Sequence, residues 1–442
     1  MYQQWDIRPL RLLSVFTLAV VAAATMTSTS VSGAANQSSE VGISEKEIRI
    51  GVMADVENAF QPGLFKGSVD GINGFAKYVN KRGGIAGRKL VVDFYDSNLS
   101  AEGSRNGIVR ACSKDFALVG TTSLFVNNIS DLVGCVDKAG VTTGLPDYPV
   151  LTSEPVQQCS PVSYPINPPP LDCATKDAAE ETYRAQVGPA YYYLKKFKKL
   201  SGAYIYPADL KAAKNTQVPY FTAQQKLGIK PDVDVDVSAL APQSIYTPIV
   251  QRMKSANSTY ARSGLAYSST VSLRKEAKLQ GLKSVKVWDC SLQCYDQSLI
   301  SDGGADVENQ YVYTPFLPFE EKKQNLMMKN FLKYTGSDKA DGFAIQSWAA
   351  GLFFKAAVDK AVAENGSNSI TRSDLLSASA GINNFNAGGL IGKTNVGMRE
   401  PTPCYVLMQV KGGKFVRVTP SKPGTFNCQS KNIVDIKQSL IG

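Results

Sequence analysis

The stretch from Ile48 to Asp96 constrains the fold more than any other part of the chain. Ile48, Ile50 and Val52 alternate with Arg49 and Gly51, the period of two expected of a strand. Phe65, Val69, Ile72, Ala76 and Val79 then recur at helical spacing and form one apolar stripe. Gly67, Gly71 and Gly74 also fall on a helical period, and their missing side chains would let the helix backbone approach closely. The run Gly83-Gly84-Ile85-Ala86-Gly87-Arg88-Lys89 closes the helix with residues that accept a positive φ, and Leu90–Asp96 supplies a second strand. So short a return from helix to strand predicts a parallel, right-handed βαβ unit, and with it an α/β fold built on mostly parallel sheets.

Residues 1–35 read as an address. Arg8 and Arg11 precede an apolar run from Leu12 to Ala24, and the small residues Ser32-Gly33-Ala34 follow, which is the layout of a secretory signal peptide. The apolar run is shorter than the about 20 residues that a membrane helix needs, so cleavage near Ala34 or Ala35 is expected. The expected location is the periplasm or the extracellular face of the cell envelope. With no cysteine near that site, no lipid anchor is expected. The chain of about 400 residues that remains exceeds what one hydrophobic core usually holds, which predicts two domains.

Cysteine usage agrees with export. All eight cysteines lie beyond the leader, and proximity suggests the pairs Cys112–Cys135, Cys159–Cys173, Cys290–Cys294 and Cys404–Cys428. Each would staple a local loop in an oxidising compartment. Metal binding by Cys290 and Cys294 is the weaker reading, because the chain has no histidine and no second close cysteine pair. The net charge is +10, but the basic residues are dispersed, with Lys195, Lys196, Lys198 and Lys199 the densest group. Without a nucleic-acid motif beside them, they predict a solvated basic face and no nucleic-acid partner.

The missing histidine removes Ser-His-Asp and Cys-His catalysis and histidine-ligated zinc. No GxGxxG follows the first strand and no GxxxxGK[ST] occurs, so nucleotide binding of those kinds has no support. No catalytic residue, metal or cofactor is therefore assigned. Phe116–Gly120 reads as a buried strand delivering the chain to Thr121-Thr122-Ser123 and a helix towards Cys135. Hydroxyls and bare N–H groups at a helix start either hold a carboxylate or simply cap the helix. Gly140–Leu145 reads as the next strand and ends in Pro146-Asp147-Tyr148-Pro149, a loop at a strand's carboxyl end where α/β sheets bind ligands.

Residues 153–176, rich in Pro, Ser and Cys, read as a surface insertion, and Tyr183–Leu200 as a basic helix. Strands at Ala203–Tyr206, Val233–Val237, Ser263–Tyr267 and Val285–Trp288 then alternate with helices, making a second α/β unit. A strand at Tyr311–Phe316 is followed by helices over Glu320–Tyr334 and Asp341–Glu364, and then by a hairpin turning at Lys411-Gly412-Gly413. This surplus predicts that the C-terminal part returns to complete both units. One lobe is expected over residues 44–180 and 313–398, the other over 181–312 and 399–442.

Ile48–Met53, the Gly-Gly-Ile-x-Gly-Arg-Lys-Leu turn at 83–90, Val119-Gly120, Tyr313-Thr314-Pro315-Phe316 and the Cys404–Val418 hairpin resemble the Leu/Ile/Val-binding family, type I solute-binding proteins of ABC importers. The resemblance spans nearly all of residues 44–420, and the glycine-rich turn is its most specific part. It implies two Rossmann-like lobes joined by a three-crossover hinge, with the ligand in the cleft. The family's carboxylate-binding hydroxyls fall on Thr122 and Ser123, and its second contact segment on Asp147-Tyr148, where this chain departs from the usual small residue plus Thr. The second-lobe aromatic matches Tyr267. Where the family has an acid for the ligand's ammonium this chain has Cys290, with Asp289 beside it as the nearby carboxylate. Tyr183 and Tyr206 are further cleft-wall candidates, with ordinary packing the alternative for each.

The resemblance implies a monomeric, non-enzymatic binder that captures an amino-acid-like, amide or carboxylate solute and hands it to a membrane permease. A sensor module of the same fold and an exported hydrolase are the competing classes.

Overall fold

The computed structural model describes residues 40–58, 61–209, 211–368 and 370–438, so the leader read into residues 1–35 lies outside the described residues. The first four strands are β1 (Glu47–Ala54), β2 (Lys89–Asp96), β3 (Ala117–Val119) and β4 (Asp147–Tyr148). They form one sheet in the order β2-β1-β3-β4, with every neighbour parallel. Between them run α1 (Lys66–Asn80), α2 (Ala101–Lys114) and the short α3 (Ser130–Val133); α4 (Pro155–Gln158) follows β4.

Strand β5 (Glu181–Gln186) and helix α5 (Gly188–Phe197) lead to the second sheet. There β6 (Leu200–Pro207), α6 (Lys211–Lys226), β7 (Ile229–Val237), α7 (Tyr246–Ser255), β8 (Tyr260–Ser263), α8 (Tyr267–Leu279), β9 (Val287–Cys290), α9 (Gln297–Gly303) and β10 (Gln310–Thr314) alternate. The chain next makes α10 (Leu326–Thr335), α11 (Gly342–Asn365) and α12 (Arg372–Ala380), and closes with β11 (Val406–Lys411), β12 (Lys414–Thr419) and β13 (Ile433–Gln438). The second sheet runs β12-β11-β10-β9-β8-β6-β7, parallel from β10 to β7 and antiparallel at β11 and β12. Helices α10 and α11 return to pack on α1 of the first lobe. The chain thus crosses between two α/β lobes three times: after β4, after β10 and after α12. The four cysteine pairs expected from proximity are the four disulfides present. Among the described residues no helix is long and apolar enough to cross a membrane.

Several elements differ from the sequence reading, each for a local physical reason. No helix starts at Thr121–Ser123. The Asp55 carboxylate, at the end of β1, accepts from Leu124 N at 2.9 Å, Leu99 N at 2.9 Å and Ser97 Oγ at 2.6 Å, tying together the loops that follow β1, β2 and β3. Thr122 bridges Ala54 on one side and Leu151 on the other, which holds this segment extended; Asn128 Oδ1 later accepts from Ser130 N, where the short α3 begins. The expected strand at Gly140–Leu145 is displaced to Asp147–Tyr148, since Leu118 N takes its acceptor from Pro146 and pairing begins there. Tyr183–Leu200 is a strand followed by a helix: residues 181–186 alternate buried and half-buried, pair with β13, and Gly188-Pro189 starts α5. Strand β8 ends at Ser263, so Tyr267 opens α8 instead of ending a strand.

The glycine face of α1 is where α11 and the end of α10 come close. A Cβ at Gly71 would lie 2.2 Å from the carbonyl oxygen of Ala344 in α11, one at Gly67 would lie 2.1 Å from the Asp341 carboxylate, and one at Gly74 would lie 2.4 Å from Thr335 Oγ1. Reciprocally, Gly351 of α11 receives the ring of Phe75. A Gly71→Ala substitution gains about 1 kcal/mol in helix propensity but forces the two helices apart. The expected net result is a loss of roughly 1–3 kcal/mol of stability, read as a lower urea midpoint at unchanged m-value.

Candidate functional site

Parallel α/β sheets leave their ligand crevice where strand order reverses, at the carboxyl ends. In the first sheet that point lies between β1 and β3, and in the second between β6 and β8. A cavity of about 300 Å³ lies between the lobes at these ends. The first lobe contributes Gln61 and Leu64 from the β1–α1 loop, Val150–Thr152 after β4, and Asp341, Gly342, Phe343 and Gln346 at the start of α11. The second lobe contributes Thr216, Gln217 and Tyr220 of α6, Gly264–Tyr267 after β8, and Ser291–Gln293, Tyr295 and Asp296 after β9. The proline run of the insertion, Pro168–Pro170, forms a third side, held by the Cys159–Cys173 disulfide and by Gln158 Nε2 donating to Leu171 O at 2.7 Å.

The wall is built by local rules. Asp341 caps α11, its Oδ1 accepting from Phe343 N at 2.9 Å and Ala344 N at 2.7 Å. Burial lifts its carboxyl to about 6, and the nearby Asp296 and Asp70 carboxylates push the same way, against the two N–H groups. Asp296 caps α9 through Ser298 N at 2.7 Å. Tyr295 is fixed with its hydroxyl between Glu320 and Phe319 N, at 2.6 and 2.7 Å. Helix α8 begins at the cavity with Ala266 in the capping position, and no side chain caps it. Four lining side chains present a buried polar atom with no hydrogen-bond partner: Thr152 Oγ1, Gln217 Oε1, Gln293 Nε2 and Gln346 Oε1. Buried polar atoms of globular proteins are nearly all paired with protein or ordered water, so these four, among the described residues, leave hydrogen-bond capacity facing the cavity.

Of the eight residues expected to hold ligand, Tyr267 lines this cavity and the other seven do not. Thr122 and Ser123 are fully buried, their hydroxyls bonded to Ser68 at 2.6 Å and Ser104 at 2.7 Å. Asp147 is enclosed by Thr121, Gln157 and Ser163, at 2.6, 3.1 and 3.1 Å, and burial raises it to about 6. Tyr148 stands in the first lobe's core with its hydroxyl 2.8 Å from Ser379. Tyr183 packs in the second lobe's core and donates to Glu181. Tyr206 packs on Phe221 and borders a separate recess with Lys214, Asp234 and Asp236. Asp289 is sealed inside the second lobe, accepting from Arg262 at 2.6 Å and from Tyr193 and Tyr260 at 2.8 Å each. Alternation along β9 turns it away from the cleft.

The lining residues that the sequence reading did not single out include Asp296, Asp341 and the unpaired amides. Both aspartates had a signal, since each stands immediately before a helix in the capping position. The amides had none, because an unpaired atom is visible only in three dimensions.

Two α/β lobes crossed three times by the chain, with a cavity at the carboxyl ends of both sheets, define the type I solute-binding architecture. The chain belongs to the periplasmic binding protein family, whose model matches residues 47–414. No curated protein matches the sequence. Solved structures with the same fold include a fatty acid ABC transporter substrate-binding protein from Thermomonospora curvata, 15% identical over 88% of this chain and 98% of that one, TM-score 0.65. A leucine-binding protein from Thermotoga maritima is 15% identical over 84% of this chain and 98% of its own, TM-score 0.63. A solute-binding protein from Rhodopseudomonas palustris, solved with benzoate, is 14% identical over 87% and 98%, TM-score 0.60. One fold thus carries three different solutes.

Without histidine, the side chains that titrate near neutrality are buried carboxyls: Asp115 raised to about 7, and Asp147 and Asp341 to about 6, each mainly by burial. Their folded-state values exceed the usual 3.8, so the folded protein takes up protons first on acidification. The stability linked to them is complete below that usual value and is lost as pH rises through 6 to 7. The ligand-free protein is expected to melt at a higher temperature at pH 5 than at pH 8 in calorimetry, and Asp115→Asn with Asp147→Asn to flatten that slope.

Proposed function

We propose that this protein is an exported, monomeric component of an ABC importer that captures a small polar solute between its lobes and presents it to a membrane permease. The carrying observation is the cavity itself, bounded by both lobes at the carboxyl ends of both sheets. A solute touching both walls stabilises the closed arrangement over the open one, and the permease reads that difference. The lobes are taken as residues 44–180 with 313–398, and 181–312 with 399–442. The resemblance to the Leu/Ile/Val-binding type supports an amino-acid-like or amide solute. The lining argues against a simple carboxylate, because among the described residues it holds no Lys or Arg. Binding and release are the proposed activity, without turnover, as the family and fold support.

Tyr267 is placed against the solute, with Thr122, Ser123 and Asp147 supporting the loops behind the wall. A thermal-shift screen of small metabolites on the purified protein tests the reading, since a ligand of the folded form raises its melting temperature. Tyr267→Ala is expected to weaken any hit by on the order of tenfold. Ser123→Ala, whose hydroxyl is spent on Ser104, is expected to leave affinity within about threefold, a difference under 1 kcal/mol. A panel without hits, or hits indifferent to Tyr267→Ala, would remove the cleft from the argument.

A further inference from the structure

We propose that a recess at the amino-terminal edge of the second sheet is a second binding site, for an anion carrying a phosphate group. The recess has a volume of about 320 Å³ and lies where α5 ends and β9 and β10 begin, bordered by Lys196, Arg274, Lys286, Trp288, Glu308 and Tyr311. The cleft lies at the carboxyl ends of the same strands, and the two share no lining residue. The proposal therefore stands apart from the identity of the cleft solute.

Arg274 carries the argument. It stands on α8, 9% exposed, with its guanidinium 4.6 Å from the centre of the Trp288 ring. Nη2 donates to Glu308 O at 2.8 Å, but Nη1 is buried without a hydrogen-bond partner. Among the described residues no carboxylate pairs with it: Asp306 is taken by Lys278 at 2.6 Å, and Glu308 Oε2 accepts from Gly412 N at 3.1 Å. Other deeply buried arginines are answered from within the fold. Arg262 has the Asp289 carboxylate at 2.6 Å, and Arg372 donates to four backbone carbonyls. A buried charge without a counter-ion is costly. Burial pulls the Arg274 guanidinium down to about 10, and Asp306 and Glu308 offset this only in part. An anion in the recess supplies the missing counter-charge.

The rest of the lining adds donors. Lys196 Nζ donates to the Tyr311 hydroxyl at 3.1 Å, which leaves the tyrosine its own proton to give to a guest. Lys286 is exposed at the rim and, among the described residues, forms no hydrogen bond or ion pair. Three cationic side chains and a phenol thus stand against one carboxylate, Glu308. Such a surplus suits a doubly charged oxyanion, and guanidinium and ammonium donors together suit phosphate oxygens. Lys196 belongs to the densest basic group of the sequence, and Lys198 and Lys199 of that group precede β6 on the same edge of the sheet. A soluble phosphate compound and the headgroup of an anionic phospholipid present this same chemistry.

Two measurements on the intact protein separate the sources: titration calorimetry with inorganic phosphate at constant ionic strength, and co-sedimentation with vesicles of phosphatidylglycerol and phosphatidylcholine against phosphatidylcholine alone. Arg274→Gln is expected to weaken binding in the responding arm by at least about tenfold, and Lys286→Ala, at an exposed position, by about threefold. Phosphate binding with these losses assigns a soluble ligand, and vesicle binding with these losses but no response to phosphate assigns the lipid. If Arg274→Gln does not fold, Lys286→Glu takes its place, with an expected loss of about tenfold. No binding in either arm overturns the site. So does binding that the variants leave unchanged, which is an adventitious ion only.

Discussion

Helix α11 lies as deep as it does because α1 presents it with glycine. Gly67, Gly71 and Gly74 leave room for Asp341, the Ala344 carbonyl and Thr335, and Gly351 returns the space to Phe75. This contact between nearly bare backbones sets the height at which α11 begins, and its beginning is a wall of the cavity. Had α1 carried ordinary side chains on that face, Asp341 and Gln346 would stand away from the cleft. The packing of the first lobe and the chemistry of the site are therefore one arrangement.

The lobes are not independent bodies. Rings in contact run from Tyr295 through Phe316, Phe319 and Phe331 to Trp348 and Phe75, connecting the loop after β9 to α1 across the hinge side. The same apolar cluster contains Ile48 of the first sheet and Val312 and Met408 of the second. Apolar contact of this kind holds the hinge side together, while the polar, incompletely paired surfaces lie on the cleft side. Disulfides act on the cleft from behind: Cys290–Cys294 restrains the loop carrying Ser291 and Gln293, and Cys159–Cys173 restrains the proline run. Short covalent loops of this kind limit the conformations that an otherwise irregular wall can adopt.

Much of the fold was legible because it rests on local rules. Alternation revealed β1 and β2, the apolar stripe and glycine period revealed α1, and cysteine proximity revealed the four pairings. The errors fell where a distant partner overrides local preference. Leu124 N is captured by a carboxylate 69 residues earlier in sequence, which holds extended a segment that looked like a helix start. Tyr183 sits in a strand because β13, near the far end of the chain, pairs with it. Asp289 stands close to where a ligand-binding acid was expected, but Arg262 neutralises it from the neighbouring strand.

What the sequence alone determined was the class of fold: periodicity and turn chemistry act over a few residues, and they sufficed for two parallel α/β units completed by the C-terminal part of the chain. What only the tertiary structure decided was which polar groups are still free to bind. Thr122, Ser123, Asp147 and Asp289 have the right chemistry, but interior partners satisfy them; among the described residues Thr152, Gln217, Gln293 and Gln346 keep an atom unpaired because the fold brings them to a gap. Hydrogen-bond capacity is inherent in a side chain, whereas its vacancy depends on every neighbour, and neighbours are set by the packing of the whole chain.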